Sequence, residues 1–377
     1  MKPPSSRALL EDNYLRAIVD RGIHAFLGNG AGLTLHVMAI DGCRVPFIVS
    51  DGKVGKASLF SPRGHYLDYP IHEISRSSAV WTSRRLRTLL YPLAAVLEWG
   101  RVDKVVYVNH WLLNGGPMLQ LDRERIRTLI ATLRSRYPDH ALVFSGHVPA
   151  LAPRLTEDLM ALGGRAVQSR IVHVLDPARA SRGRTMRRIR HTRKTDAALL
   201  KANEFRRVDQ PDLLLRHVGQ IQHLYSQTYL EKHSGALNPQ YRTAFFELLL
   251  RSGLFSSVGW LRDDGILEAF NIQHCQDGIM SWSICGHDIS APVSRGLFRL
   301  VTAHDLDVAT REQRIVNWGG GNGPYKRFRG AEPMFEYDIV FDRHLRADRR
   351  LPWLLLQHLR ARRNGAPLVP RGPSPES

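Results

Sequence analysis

Asp264-Gly265 and Asp277-Gly278 each stand between apolar runs, and no other feature of the chain restricts its fold so sharply. The runs are Leu254 to Leu261, Ile266 to Cys275 and Ile279 to Cys285. An Asp-Gly pair supplies the positive φ angles of the tight turn that joins two antiparallel strands. The spacing therefore predicts a meander of three consecutive strands. With Asp277-Gly278 as the turn, Gln276 pairs with Ile279, Cys275 with Met280 and Phe270 with Cys285. Cys275 and Cys285 then lie several pairs apart, beyond the Cα separation of roughly 5.5–6 Å that a disulfide prefers.

Helical patterns flank the meander. Asp212 to Leu230 and Tyr241 to Leu250 precede it, and Ser294 to Thr310 follows, with Leu297, Leu300, Val301, His304 and Val308 on one stripe. A strand from Arg314 to Trp318 then runs into Gly319-Gly320-Gly321, and Phe335 to Phe341 is the last strand. The first half alternates in the same way. Strands are expected at Arg44 to Ser50, Lys104 to Val108, Ala141 to Phe144 and Arg170 to Leu175. Arg123 to Arg136 reads as a helix capped by Asp122, and Leu155 to Leu162 as a short helix ended by Gly163-Gly164. This alternation argues an α/β fold with mixed sheets rather than a bundle.

Charge points to the partners. Over 377 residues the net charge is +18, which predicts affinity for anions: phosphate-rich cofactors, nucleic acid or acidic lipid headgroups. Half of it sits between Arg179 and Arg207, where eleven Lys and Arg face only Asp196 and Glu204. We place a domain boundary there, giving residues 1–178, 179–345 and a basic, Pro-rich tail over 346–377. The tail is expected to be disordered from Gly365 on, and Leu368–Gly372 resembles a protease-cleavage tag. Cys43, Cys275 and Cys285 fit neither a disulfide scaffold nor a zinc site, so no metal is expected and a cytoplasmic setting is. The start, Met1 to Ser6, has no apolar run for a signal peptide. Leu86 to Trp99, the most apolar helix-like stretch, is interrupted by Arg87, Pro92 and Glu98 and falls short of the ~20 apolar residues of a membrane span.

The order of the second half, two helices, meander, helix, strand, glycine loop and final strand, resembles the GNAT acyltransferase domain. Asn317 to Gly330 (Asn-Trp-Gly-Gly-Gly-Asn-Gly-Pro-Tyr-Lys-Arg-Phe-Arg-Gly) resembles the strand-end segment of Fem-type, tandem-GNAT acyltransferases. Thr185 to Lys194 resembles the basic helix that opens their second domain. Lys232 to Pro239 and Ser61 to Tyr66 are similar to segments of uncharacterised members of that group. The resemblance implies two tandem GNAT-like domains, the first serving the acceptor or degenerate. It also implies N-acyltransfer from acyl-CoA or an acyl carrier protein to an amine, or from aminoacyl-tRNA in the Fem manner, each as co-substrate with no resident cofactor. One departure bears on the donor: Ser290 to Phe298 lacks the Arg/Gln-x-x-Gly-x-Gly/Ala spacing that holds the pyrophosphate of coenzyme A in many GNAT enzymes. A third reading keeps the fold as scaffold for a nucleic-acid-binding protein without catalysis.

The resemblance also nominates residues. Lys326 follows the fifth strand of the second domain, where it can neutralise an oxyanion or grip a phosphate, and Tyr325 can protonate a leaving group; otherwise they are a surface cation and a packing ring. Glu268 and His274 share a face if the pleat alternates regularly, so they can act as bases in one cleft. Ser294, Arg295 and Gly296 open a helix whose amides can hold an anion. Asn317, Gly319, Gly320 and Gly321 permit close approach of a donor. Arg184, Arg187, Arg188, Arg190, Arg193 and Lys194 form the anion-binding or nucleic-acid patch, too one-signed to be only a solvated face. The acceptor is an amine of unspecified identity.

Overall fold

The computed structural model describes residues 6–53, 57–77, 80–178, 186–201, 205–365 and 367. In chain order the helices and strands are α1 (Ser6–Arg21), β1 (Leu33–Ile40), β2 (Cys43–Asp51), α2 (Tyr69–Ser77), α3 (Val80–Trp99), β3 (Lys104–Val108), α4 (Arg123–Arg136), β4 (Ala141–His147), α5 (Pro153–Ala161) and β5 (Arg165–Leu175). They continue with α6 (Met186–Lys201), β6 (Arg206–Val208), α7 (Pro211–Leu215), α8 (Val218–Tyr225), α9 (Thr243–Arg251), β7 (Phe255–Leu261), β8 (Leu267–Gln276), β9 (Ile279–His287), α10 (Leu297–Glu312), β10 (Ile315–Asn317), α11 (Gly323–Arg327), β11 (Glu332–Phe341) and α12 (Ala347–Asn364).

All strands join one sheet in the order β1-β2-β3-β4-β11-β5-β10-β9-β8-β7-β6. The last strand of the chain, β11, lies between β4 and β5, and β5 pairs on its other edge with β10. The sheet therefore runs unbroken across residue 178. Two parallel pairs stand within it, β3 with β4 and β10 with β9.

Strand alternation sorts side chains to the two faces. Along β3, Val105 and Tyr107 enter a core that also holds Phe245, Phe270 and Trp353, while Val106 and Val108 enter one beneath α4. The α4 stripe of Ile126, Leu129, Ile130 and Leu133 is fully turned inward, and Asp122 caps it by accepting from the Arg125 amide at 3.0 Å. The meander forms as expected, with Cys275 opposite Met280 and Gln276 opposite Ile279. Beyond Ile272 the ladder slips by one residue, so Cys285 faces Asn271 rather than Phe270. That slip is a β-bulge, one extra residue on one strand.

Two further expectations are corrected. Asp212 to Leu230 is α7 and α8 followed by a π-helical turn over Ser226–Ser234, not one helix. The stretch after Arg343 is largely α12, docked on β5 through buried Trp353 and Leu356, with Arg360 donating to the Gln168 and Ser169 carbonyls. The sequence reading has no counterpart of α1 or β1. The tag-like residues 368–372 lie outside the described residues.

Candidate functional site

β10 and β9 pair over three positions, Ile315 with Ile279, Val316 with Met280 and Asn317 with Ser281, and then part. At the parting, Trp318 donates its amide to the His173 carbonyl and the chain turns through Gly319 (φ 64°), Gly321 (φ 72°) and Asn322 (φ 46°). Positive φ at the first two explains the glycines. Pro324 then starts α11, a helix of little more than one turn.

That turn aims Lys326 inward. The side chain is 2% exposed, and Nζ donates to the carbonyls of Trp318 (2.7 Å), Gly319 (3.1 Å) and Gly320 (2.6 Å). Burial lowers its pKa to about 8, with the Arg170 charge adding and Cys285 opposing. The expected surface ammonium aimed at a donor is thus a buried clamp on the glycine loop. Tyr325 packs against Phe298 (5.0 Å) with its hydroxyl 2.6 Å from that of Thr302, and burial raises its pKa to about 12. The Trp282 ring of β9 lies 6.1 Å from Phe298, with the Lys326 ammonium 5.6 Å over it.

Glu268, His274, Ser294 and Arg295 do not converge there. Glu268 sits at a bulge against β7, so the regular alternation fails, and its carboxylate is held by Arg295 (3.0 Å) and Arg262 (3.5 Å). His274 lies at the far end of β8, where Arg7 of α1 donates to it at 2.9 Å; burial and that charge lower its pKa to about 4. The two residues are therefore not bases in one cleft. Ser294 and Arg295 belong to a 3-10 turn, and Gly296 (φ 67°) is the residue before α10, so no Ser cap opens that helix. Arg295 is committed to Glu268 and to the Phe205 ring. Asn317 accepts from the Gly319 amide, bracing the loop.

The basic helix forms as α6, one face outward and one inward. Arg187, Arg190 and Lys194 are exposed at helical spacing. Arg193 donates to the Arg329 carbonyl, and buried Asp196 bridges Arg299 (3.1 Å) and Arg329 (2.7 Å). Arg329 in turn stacks 3.6 Å over the Tyr325 ring. The exposed stripe is thus bolted to the α10–α11 side of the parting strands. Arg184, and the side chain of Arg188, lie outside what is described.

Two buried polar centres have no counterpart in the sequence reading. Asp305 on α10 is fully buried; it accepts from the indoles of Trp282 and Trp318 and from Asn271 (2.9 Å), and burial raises its pKa to about 7. The second centre lies where the two halves of the sheet meet. A cavity of about 130 Å³ opens there, bounded by the loop from Asn109 to Leu119, Ser145 to Val148, Ser281, Trp282, Asn317 and the Arg170–Glu336 ion pair (2.7 Å). His147 lines it without a side-chain partner, and burial lowers its pKa to about 4, so its imidazole is neutral. Beneath it, β11 bulges against both neighbours. Tyr66 donates to Asp338 at 2.6 Å and His65 meets the Ser169 hydroxyl at 2.8 Å, which brings the Ser61–Tyr66 segment to the seam. A neutral imidazole, an ion pair and uncharged donors around a small cavity can orient a polar group and relay a proton.

No protein-family model matches the chain, and no curated protein sequence matches it. Solved structures do. The C-terminal domain of a putative lysylphosphatidylglycerol synthetase from Agrobacterium fabrum superposes with a TM-score of 0.50 at 11% identity, covering 93% of each chain. L-PGS from Bacillus licheniformis gives 0.49 at 12%, covering 92% of this chain and 96% of that one. FemX gives 0.44 at 9%, covering 67% and 83%. At these identities such likeness speaks to fold and not to activity. With the element order of the second half and the parallel pair that parts after three residues, the protein has a mixed α/β, tandem GNAT-like fold.

Proposed function

We propose that this protein is an acyltransferase whose donor is an aminoacyl-tRNA and whose acceptor is an amine. The observation that carries this reading is α6: its outward stripe of Arg187, Arg190 and Lys194 faces solvent while its inward Asp196 and Arg193 fasten it beside the parting strands. A phosphate chain on that stripe would present its terminal ester to the parting strands and the seam beyond them. Coenzyme A has less support, because Arg295 is occupied by Glu268 and Ser290 to Phe298 lacks the pyrophosphate spacing. In the reaction the amine nitrogen attacks the ester carbonyl, the tetrahedral oxyanion collapses, the C–O bond breaks and the ribose oxygen leaves with a proton.

The test supplies the protein in parallel with tRNA charged with labelled amino acids, acyl-CoAs and acyl carrier proteins, over a panel of amines. Label should reach amine only from charged tRNA. Transfer from a CoA or carrier-protein thioester would overturn the donor assignment, and no transfer from any donor would favour a non-catalytic scaffold.

Binding offers a separate check. Replacing Arg187, Arg190 and Lys194 together with Ala should weaken tRNA binding and lower the slope of log K against log salt by about 2–3, since each phosphate contact adds roughly 0.7–0.9 to it. Filter binding across a salt series reads this; an unchanged slope would leave the stripe as a solubility feature.

A further inference from the structure

α3 and α12 lie against each other at the edge of the large core, where Leu97, Trp353 and Leu356 are buried and Arg349 donates to the Gly100 carbonyl at 2.8 Å. Their outer sides expose large apolar residues among polar ones. On α3 the exposed residues Tyr91, Pro92, Ala95 and Trp99 follow one stripe, with Tyr91 75% and Trp99 62% exposed. On α12 the exposed Leu351 and Leu359 sit two turns apart on the same side. Large aromatic rings standing in water on adjoining helices are an unfavourable arrangement for a free surface.

The charge around this stripe has one sign. The two helices carry eight arginines against Glu98 and Asp348, and exposed Arg101 and Arg346 flank them. Glu98 is paired with Arg63 and Asp348 with Arg346, and Arg349 and Arg360 donate to backbone carbonyls, which leaves exposed Arg101, Arg362 and Arg363 as the excess among the described side chains. Aromatic and leucine side chains rimmed by arginine are the composition of a helix that lies in the headgroup layer of a membrane. Among the described residues no helix is long and apolar enough to cross one, so contact with a bilayer would be by a face.

We propose that the α3–α12 face is a docking surface for an anionic lipid bilayer. Tyr91 and Trp99 enter the headgroup region, Leu351 and Leu359 reach the acyl boundary, and Arg101, Arg362 and Arg363 meet lipid phosphates and carboxylates. A second copy fits less well. A two-fold contact would set the same arginines against themselves, between chains that each carry +18. RNA fits less well too, because Pro92, Ala95, Leu351 and Leu359 offer nothing to a phosphate backbone. This surface is distinct from the α6 stripe and stands or falls apart from the identity of the donor.

The experiment is vesicle flotation of the full chain with phosphatidylcholine alone and with an equal mixture of phosphatidylcholine and phosphatidylserine. Binding should require phosphatidylserine and weaken with salt. The double variant Tyr91→Ser, Trp99→Ser should lose about tenfold or more in partition, as removal of two interfacial aromatic contacts implies. Both residues are exposed, so its melting curve should match the unaltered protein; Leu359→Asp supplies a second, independent variant. The Arg187, Arg190, Lys194→Ala variant should float as before. The proposal is overturned if no binding to the mixed vesicles occurs, if the aromatic variant floats normally, if the α6 variant alone abolishes flotation, or if sedimentation shows a dimer that the aromatic variant disrupts.

Discussion

Lys326→Met should destabilise the protein by about 3–5 kcal/mol, an unusually large effect for a lysine. The reason is geometric. Three consecutive carbonyls, from Trp318 to Gly320, point at one ammonium, and the same turn holds three positive-φ residues, Gly319, Gly321 and Asn322. Methionine keeps the length of the stem and removes all three donors, leaving the Trp318 and Gly320 carbonyls without partners while Gly319 keeps the His173 amide. Each such orphan costs about 1–3 kcal/mol, and the sum is less than additive because the loop relaxes. Urea denaturation should therefore show a lower midpoint, and limited proteolysis should cut within residues 319–322. Turnover should fall with stability, since α11 also carries Tyr325. If Lys326→Met instead melts normally and resists protease while losing turnover by roughly 10²–10³-fold, the range for loss of an oxyanion donor, the residue is catalytic rather than a clamp.

Lys326 also shows how far the sequence reaches. Its place after the glycine run is legible, because glycine and proline punctuate the chain locally. Its direction is not: one turn of helix decides whether the ammonium points out or back, and nothing in the spacing records that. The hairpin register behaves alike. Asp277-Gly278 sets the pairs near the turn correctly, whereas the bulge beyond Ile272 moves Cys285 one residue from its expected partner. A single extra residue leaves no mark in an apolar alternation. Glu268 failed for the same cause, a bulge at its own position. α12 was hidden by its arginines, which read as a tail although Trp353 and Leu356 anchor it. The seam cavity draws on segments as distant as Asn109, Arg170, Ser281 and Glu336. Only the insertion of β11 between β4 and β5 brings Arg170 and Glu336 together, and no local signal announces it.

Nothing in the sequence marks Asp305, because an aspartate within a helical pattern reads as solvated. In the fold Asp305 lies on the inward side of α10, away from exposed Asp307, Thr310 and Arg311, and it holds two tryptophans, Trp282 of β9 at the cavity wall and Trp318 at the start of the glycine loop. Asp305→Ala should cost about 3–5 kcal/mol, for it strands two indole N–H groups and leaves the Asn271 amide only its longer bond to Gln273. Asp305→Asn should behave differently. The Asn271 Oδ1 is buried without a partner, so a flip of that amide offers an acceptor to the new Nδ2 while the new Oδ1 still receives the indoles. The pH dependence separates the two ideas. With a folded pKa near 7 against an unfolded value near 3.8, the native state keeps a proton that the unfolded state has lost between those limits. Its contribution is therefore present in full below about pH 4 and is lost as pH rises toward 7, with a slope of up to about 1.4 kcal/mol per unit. Asp305→Asn does not titrate, so denaturation midpoints across this window should fall less steeply with rising pH, and at pH 8 the variant should equal or exceed the unaltered protein. An Asn variant that keeps the full slope would assign the titration elsewhere, and an Ala variant of normal stability would mean that the tryptophans do not depend on this carboxylate.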